Sequence, residues 1–534
     1  MSTQDTEAPI TGPQDEVIAF LSDPRTHGPG VSEVGRIDTH AAIVFLAGDE
    51  VYKIKRAVTF PFLDYGRLEQ RQAACAREVE INRLTAPDLY LGAVAVTRED
   101  DGSLALGGSG APVEWAVHMR RFDEKATLDL LAADGRLDTG LVDGLAERVA
   151  ELHDRAPAVT RHQPADFVAW VARENCTEMR DYPHLFPDDA VSDLLARTDA
   201  ALETHRDLIE ARAKAGFLRR CHGDLHLGNV ALIDGKPVIF DAIEFSEDIA
   251  TIDVLYDLAF LLMDLWERGM RTHANRVLNR WLVARRTVED LDGLALLPLF
   301  MSMRAAIRAK VAGPRSSHQS GDEKARTEAE ARRMFAAARR FLDPDPARLV
   351  AIGGLSGTGK TTVAMGIAAA IGPAPGAVVV RSDVMRKILA DVAETERLPA
   401  ESYTAAASAT VYAEIDRWAG RALAARHAAI LDAVHSKPEE RTAACALARS
   451  AGVRFDGIWL EAPEETLIAR VSGRTGDASD ANAAVVRKQL AYDTGTVGWA
   501  TVETGDGSQA AITKTLQTLG IETVTPSTDP DTGA

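Results

Sequence analysis

The sequence predicts two folded domains: an upstream two-lobed α+β domain, then a downstream α/β domain built on a parallel sheet. Three observations carry this. Upstream, strand-like runs come first, at residues 42–46, 50–55, 93–96 and 114–119, and a mainly helical pattern follows over 128–219. Strands first and helices later is the signature of a segregated α+β domain. Downstream, strand and helix alternate through 349–353, 361–371, 377–380, 405–425, 429–431, 443–451 and 455–460. Such alternation builds a parallel sheet with helices on both faces. Between the halves, Gly313-Pro314-Arg315-Ser316-Ser317-His318-Gln319-Ser320-Gly321 is polar and punctuated by glycine and proline, which marks a junction.

These signals divide the chain into a disordered tail over 1–25, an upstream domain over 26–313, a linker with a connecting helix over 314–345, a downstream domain over 346–522, and a second disordered tail over 523–534. The connecting helix is the charged, Ala-rich run 323–341, stopped by Asp343-Pro344-Asp345-Pro346. At 534 residues the chain is long enough for two buried cores. Hydrophobic residues make up 46% and charged residues 26%, an ordinary globular balance.

The formal net charge of −19 disfavours nucleic acid as a general partner, since it is itself a polyanion. A local basic cleft for phosphates stays compatible with that charge. The four cysteines, Cys75, Cys176, Cys221 and Cys445, form no CxxC pair, which argues against a disulfide framework or a zinc site and for a reducing compartment. No basic segment followed by an apolar run opens the chain, and the apolar stretch 254–265 is broken by Asp257 and Asp264. It is too short to span a bilayer. A cytoplasmic location with no membrane partner is expected.

The strongest motif is Gly354-Leu355-Ser356-Gly357-Thr358-Gly359-Lys360-Thr361. It follows a predicted buried strand and opens a predicted helix, the context a phosphate-binding loop requires. Gly354, Gly357 and Gly359 let backbone N–H groups turn toward phosphates, with Ser356 and Thr358 between them, and the helix N-terminus adds partial positive charge. Lys360 is placed to reach the β- and γ-phosphates, and the Thr361 hydroxyl to ligate Mg²⁺, so ATP·Mg²⁺ is the expected cofactor.

A second strand ends in Asp383, with Arg386 one helical turn on. Ligands in such sheets sit at the carboxyl ends of strands. Asp383 is therefore placed as a base for an acceptor hydroxyl, as the N-cap of the next helix, or as both, and Arg386 as a clamp for phosphate charge. Asp432 ends a third strand and either helps hold Mg²⁺ or substrate, or caps the next element. Arg470 and Arg474 share a helical face, as lid arginines or as plain surface charge. Residues 347–520 resemble the small P-loop kinases that include zeta toxins, gluconate kinase and the kinase module of polynucleotide kinase. That resemblance implies Asp383 as the base and Arg474 as a lid arginine.

A second constellation lies upstream. His222-Gly223-Asp224-Leu225-His226-Leu227-Gly228-Asn229 is followed by a short apolar hairpin and Asp241. A loop acid, an Asn five positions on and a second acid after a hairpin form a phosphoryl-transfer set. Asp224 would orient or deprotonate a hydroxyl, Asn229 and Asp241 would hold Mg²⁺ through hard oxygens, and His222 would buttress the loop. The pattern closely resembles the aminoglycoside phosphotransferase family, with its protein-kinase-like fold, over about residues 30–310. The resemblance implies Lys53 as the ATP-anchoring lysine with Glu78 as its partner, and Asp257 as the acid that braces the catalytic loop. Lys55 shares the strand face of Lys53 and competes for the anchoring role. The segment Gly35-Arg36-Ile37-Asp38-Thr39-His40 lacks the glycine-rich lid of related kinases.

The fold expected is thus an α+β protein-kinase-like two-lobed domain followed by an α/β P-loop NTPase domain with a parallel sheet. The function expected is a bifunctional ATP-dependent phosphotransferase acting on hydroxyl groups of small molecules. Two other readings compete: one active kinase domain regulated by nucleotide at the other, or a toxin-like kinase of sugar nucleotides.

Overall fold

The structure, a computed structural model, describes residues 14–39, 41–60, 63–473 and 478–522. The chain divides into two compact units, Met1–His162 with Ala211–Leu261, and Gln163–Glu210 with Leu262–Ala534.

The first unit is organised by a six-stranded antiparallel sheet in the order Val34–Asp38, Ala42–Ala47, Glu50–Lys55, Ala111–Arg120, Tyr90–Arg98, Leu104–Leu106. Its strands carry Val, Ile, Phe and Tyr, residues that pack well on a pleated surface. The helix Leu68–Asn82 covers one face, where Val79 meets Leu46, Val51 and Val117. Its first turn is set by Gln70, whose side chain accepts from the Arg67 N–H at 2.8 Å. Further along come the strand Leu218–Arg220, paired antiparallel with Thr251–Asp253, and the hairpin of Val230–Ile233 with Lys236–Ile239.

Residues 15–25, expected within a disordered tail, are instead largely helical. The helix Asp15–Ser22 buries Val17 and Leu21, four apart and so on one face, against Ile43, Phe45 and Ile54. The Gln14 amide locks its start, donating to the Lys55 carbonyl at 2.8 Å and accepting from the Ala57 N–H at 2.9 Å. The first 13 residues and the tail 523–534 lie outside the described residues. The strand Val34–Asp38, in the segment expected to lack a glycine-rich lid, forms a hairpin with Ala42–Ala47; His40 lies outside the described residues.

The second unit holds a five-stranded, wholly parallel sheet in the order Val378–Arg381, Ala429–Asp432, Arg348–Gly353, Arg454–Glu461, Ala500–Glu503. Parallel strands are buried on both faces, and the central ones read accordingly as unbroken apolar runs. Val350, Ile352, Ile367, Ile430 and Ile458 form its core. The last strand and the helix Ser508–Thr518 had no expectation attached to them. The Gly313–Gly321 stretch is less of a junction than its composition suggests. The helix Leu297–Ser317 runs through Pro314, and Gly321–Phe341 follows and packs along it, with Ser302 Oγ donating to the Ala338 carbonyl at 2.7 Å.

Ile430 is fully buried in the second strand of the parallel sheet. Ile430→Ala is expected to lower the unfolding free energy of the second unit by about 2–5 kcal/mol, with the near-empty volume as the cause. A denaturant titration followed by hydrogen exchange on that sheet measures it; a loss below about 1 kcal/mol contradicts the packing described.

Candidate active sites

The upstream site gathers on a cavity of about 430 Å³ lined by Val44, Lys53, Tyr90, Asp224, Phe240 and Asp241 among others. Lys53 and Lys55 point to the same face of one strand, and a single carboxylate serves both. Glu78, fully buried, accepts from Lys53 Nζ at 2.9 Å through one oxygen and from Lys55 Nζ through the other. Their second partners separate them. Lys53 Nζ bonds Asp241 Oδ1 at 2.6 Å, while Lys55 is tied to Glu244, which also accepts from the Tyr65 hydroxyl at 2.9 Å. Lys53 keeps 15% of its side chain exposed and Lys55 2%. Lys53 is thus the more exposed of the two toward the cavity, and Lys55 is enclosed between Glu78 and Glu244. Burial works against the charge of both lysines, but Asp241 and Glu78 for Lys53, and Glu78 and Glu244 for Lys55, override it and raise both pKa values. Burial likewise opposes the charge of Glu78, and the two ammonium groups prevail, leaving its pKa lowered.

The loop that carries Asp224 is held from below. Asp257, fully buried, accepts from the N–H of Gly223 at 2.9 Å and of His222 at 3.2 Å, and from His153 Nε2 at 3.1 Å. His222 donates through Nε2 to the Phe240 carbonyl at 2.8 Å and accepts the Asp224 N–H on Nδ1 at 3.3 Å. Burial lowers its pKa, so it stays neutral and buttresses the loop. Asn229 Nδ2 donates to the Asp224 carbonyl at 2.9 Å and to Asp224 Oδ2 at 3.1 Å, which turns the amide oxygen of Asn229 away from the acid. Asp241 sits at φ +61°, its N–H donating to the Tyr90 hydroxyl at 3.1 Å.

The downstream site is built where the parallel strands end. The loop 354–359 joins the strand Arg348–Gly353 to the helix Lys360–Ala368. Gly357 takes φ +90°, and a Cβ there would meet the Leu467 carbonyl oxygen at 2.7 Å, so no other residue fits. Thr358 Oγ1 donates to the Leu355 carbonyl at 2.8 Å, as does Lys360 Nζ at 3.1 Å, and the Ser356 N–H donates to Gln489 Oε1 at 2.7 Å. Thr361 Oγ1 donates to Asp432 Oδ2 at 2.6 Å. Burial raises the pKa of Asp432, opposed by Arg381 and Lys360. Arg381 Nε lies 3.7 Å from the same Asp432 oxygen.

Asp383 is not an N-cap. Arg381 occupies that position of the helix Ser382–Leu389, and Asp383 lies inside the first turn, close enough for its charge to bear on Asp432. Arg386, three residues along the same helix, donates to the Ser402 carbonyl at 2.5 Å with its guanidinium 4.8 Å from the Tyr403 ring. Arg470 is absorbed into the loop's support, donating to the Gly357 carbonyl at 3.3 Å and to the Thr504 carbonyl at 2.6 Å. Arg474 lies outside the described residues.

Several contributors escaped the sequence reading. Glu244 and Tyr65 complete the Lys55 pocket, His153 supports Asp257, and Gln489 and Thr504 support the phosphate loop. Only Glu244 carried a signal, its place three residues after Asp241. His435 is the least expected: it is 1% exposed, sits at φ +48°, and packs its ring against Tyr412 and Trp499. Burial, with the nearby Lys360 and Arg441 charges, lowers its pKa to about 3.

Residues 65–296 match the phosphotransferase enzyme family and residues 349–494 match the AAA domain. Over 470 residues the chain is 32% identical to uncharacterized proteins of Mycobacterium tuberculosis, among them Rv2004c, and of Mycobacterium bovis, an overlap covering 86% of this chain and 90% of theirs. Among solved structures, a choline kinase of Cryptosporidium parvum is 13% identical, with 62% of this chain and 96% of that chain covered and a TM-score of 0.41. A gluconokinase of Sinorhizobium meliloti is 21% identical, with 33% of this chain and 92% of that chain covered and a TM-score of 0.23.

Two predictions follow from the charges. Lys55→Ala leaves Glu78 and Glu244 buried with one cation fewer, so the first unit is expected to lose about 3–5 kcal/mol, measured by denaturant unfolding. A loss below about 1 kcal/mol contradicts a structural role for Lys55. His435 has a folded pKa below its ordinary value of 6.5, so its contribution to stability falls as pH drops from about 6.5 toward 3, where only the unfolded chain binds the proton. His435→Phe should flatten that acid limb by up to about 1.4 kcal/mol per pH unit. An unchanged slope in unfolding measured from pH 4 to 7 rejects the buried neutral imidazole.

Proposed function

The chain belongs to the same family as these mycobacterial proteins, with a phosphotransferase-family region joined to a P-loop kinase region, and from that premise we propose that it is a two-site ATP-dependent kinase. Each site transfers the γ-phosphoryl group of ATP to a hydroxyl of a small molecule. The observation that supports this best is the pair of complete charge sets: Lys53, Glu78, Asp224, Asn229 and Asp241 upstream, and Lys360, Thr361, Asp383 and Asp432 downstream.

Upstream, Lys53 grips the phosphates, with Glu78 fixing its ammonium. Asp224 lines the same cavity; its carboxylate orients the acceptor hydroxyl and takes the proton as the new O–P bond forms and the bond to the ADP oxygen breaks. The donor set fits Mg²⁺: the Asn229 amide, committed to Asp224 through its nitrogen, presents its oxygen, and Asp241 adds a carboxylate. Downstream, the loop amides and Lys360 hold the phosphates, Asp383 serves as base, and Arg386 steadies the acceptor side. Thr361 and Asp432, 2.6 Å apart, form the second hard-oxygen set. When bound, the metal supplies charge neutralisation on the transferring group.

Family membership and shared chemistry do not name the acceptors. Among the described residues no helix is long and apolar enough to cross a membrane.

Asp224→Asn and Asp383→Asn in the full chain should each cut phosphoryl transfer at their own site by about 10²–10⁴ and spare the other. Lys360→Ala in the Asp224→Asn background should remove the remaining phosphoryl transfer while the upstream site still binds ATP·Mg²⁺. Products from a metabolite mixture, resolved by mass spectrometry for each variant, decide it. If Asp224→Asn alone silences every product, the two-site reading fails.

A further inference from the structure

The downstream sheet begins with an edge strand, Val378–Arg381, which has a neighbouring strand on one side only. An edge of this kind offers unpaired backbone groups and is ordinarily covered or charged. Here it is covered by a helix from within the phosphotransferase-family region, Arg271–Arg285. Two asparagines on consecutive turns of that helix read the strand as another strand would. Asn279 Oδ1 accepts the Val379 N–H at 2.7 Å, and Asn279 Nδ2 donates to the Ala377 carbonyl at 3.1 Å. Asn275 Nδ2 donates to the same carbonyl at 3.0 Å. Both are buried, at 1% and 6% exposure, so these are not incidental surface contacts. The fit extends to Gly376, at φ +103°, where a Cβ would lie 2.9 Å from Asn275 Nδ2.

The next residue of the helix leads to the reacting centre. Arg280 pairs with Glu394 through one carboxylate oxygen, and the other accepts from Arg381 at 3.1 Å. Arg381 ends the clamped strand with its Nε 3.7 Å from Asp432 Oδ2, the oxygen that accepts from Thr361. A continuous charge chain thus runs from Arg280 through Glu394 and Arg381 to Asp432.

We propose that the helix Arg271–Arg285 is a working part of the downstream kinase site: Asn275 and Asn279 fix the strand, and Arg280, acting through Glu394, positions Arg381 beside Asp432. None of these touches nucleotide; they are positioning residues. Removing Arg280 leaves Glu394 with one cation. Glu394 then draws Arg381 toward itself and away from Asp432, and the Thr361–Asp432 pair loses its set position. A small displacement of such groups costs rate.

The inference rests on the reading that the loop at 354–361 turns over ATP, and the test separates the two. In the full chain carrying Asp224→Asn, hydrolysis of ATP·Mg²⁺ with water as acceptor reports the downstream site. If Lys360→Ala leaves that hydrolysis unchanged, the underlying reading fails. If Lys360→Ala abolishes it, Arg280→Ala and Glu394→Gln should each lower kcat by about threefold to tenfold with KM for ATP within twofold. The pair combined should be no worse than the worse single variant, and Arg280→Lys should restore most of the rate. Because the exchanged side chains keep 29% and 22% exposure and neither is fully buried, folding should persist, and circular dichroism checks it. Single-variant losses that multiply in the pair, an unchanged kcat in Arg280→Ala, or no rescue by lysine overturns the relay. For the clamp, Asn279→Ala should raise amide hydrogen exchange at Val379 selectively; protection equal to the parent's overturns it.

Discussion

A carboxylate buried away from water keeps its charge only if cations or N–H donors surround it, and three such groups organise both sites. Glu78 is shared by Lys53 and Lys55, Asp257 is saturated by the loop amides and His153, and Asp432 is met by Thr361 and faced by Arg381 and Lys360. In each case the buried acid acts by fixing something else. Glu78 aims a lysine into a cavity. Asp257 sets the loop on which Asp224 stands. Asp432 fixes the first hydroxyl of the helix that follows the phosphate loop. The groups to which the proposed function gives the chemistry retain exposure: Lys53 at 15% and Asp224 at 42% of their side chains. A preorganised shell of this kind lets charge develop without reorganisation of the surroundings.

What was legible in the sequence follows from how local each signal is. The phosphate loop was legible because strand, glycines, lysine and helix occupy one short stretch, and local sequence fixes all of it. The same holds for residues 222–241, where loop and hairpin are consecutive. The choice between Lys53 and Lys55 was not legible. Both sit on one strand face, and only Asp241 and Glu244, nearly two hundred residues away, separate them. Asp383 shows the opposite failure. Its residue type suits an N-cap, but the helix begins at Ser382, so Arg381 takes the cap position and Asp383 falls inside the first turn. Residues 15–25 looked like tail although Val17 to Leu21 are all apolar; Val17 and Leu21, with Ile18 and Phe20 beside them, complete a face that the sheet presents.

The stretch around Gly313 carries the same lesson at larger scale. Glycine, proline and serine make a junction when nothing packs on them. Here Gly313 sits in a helix, and a Cβ on it would lie 2.8 Å from the Tyr182 ring. Composition reports what a segment prefers alone; packing against a neighbour overrides it.

The same reasoning explains why the helix Arg271–Arg285 attracted no notice. Its asparagines are poor helix formers, and a reader of propensities takes them for weak points. Their value lies in having both a donor and an acceptor on one short, stiff amide. A strand edge needs just that combination, an N–H and a carbonyl satisfied at a fixed separation, and Asn279 supplies it to Val379 and Ala377 at once. An aliphatic residue at 279 would favour the helix but take the acceptor from the buried Val379 N–H, a loss on the order of 1–3 kcal/mol, while the Ala377 carbonyl would keep only Asn275. That penalty exceeds the helix-propensity gain of at most about 0.7 kcal/mol. The balance favours asparagine wherever a helix must lie on a strand edge, and it makes polar residues on an otherwise buried helix face a sign of what the helix covers.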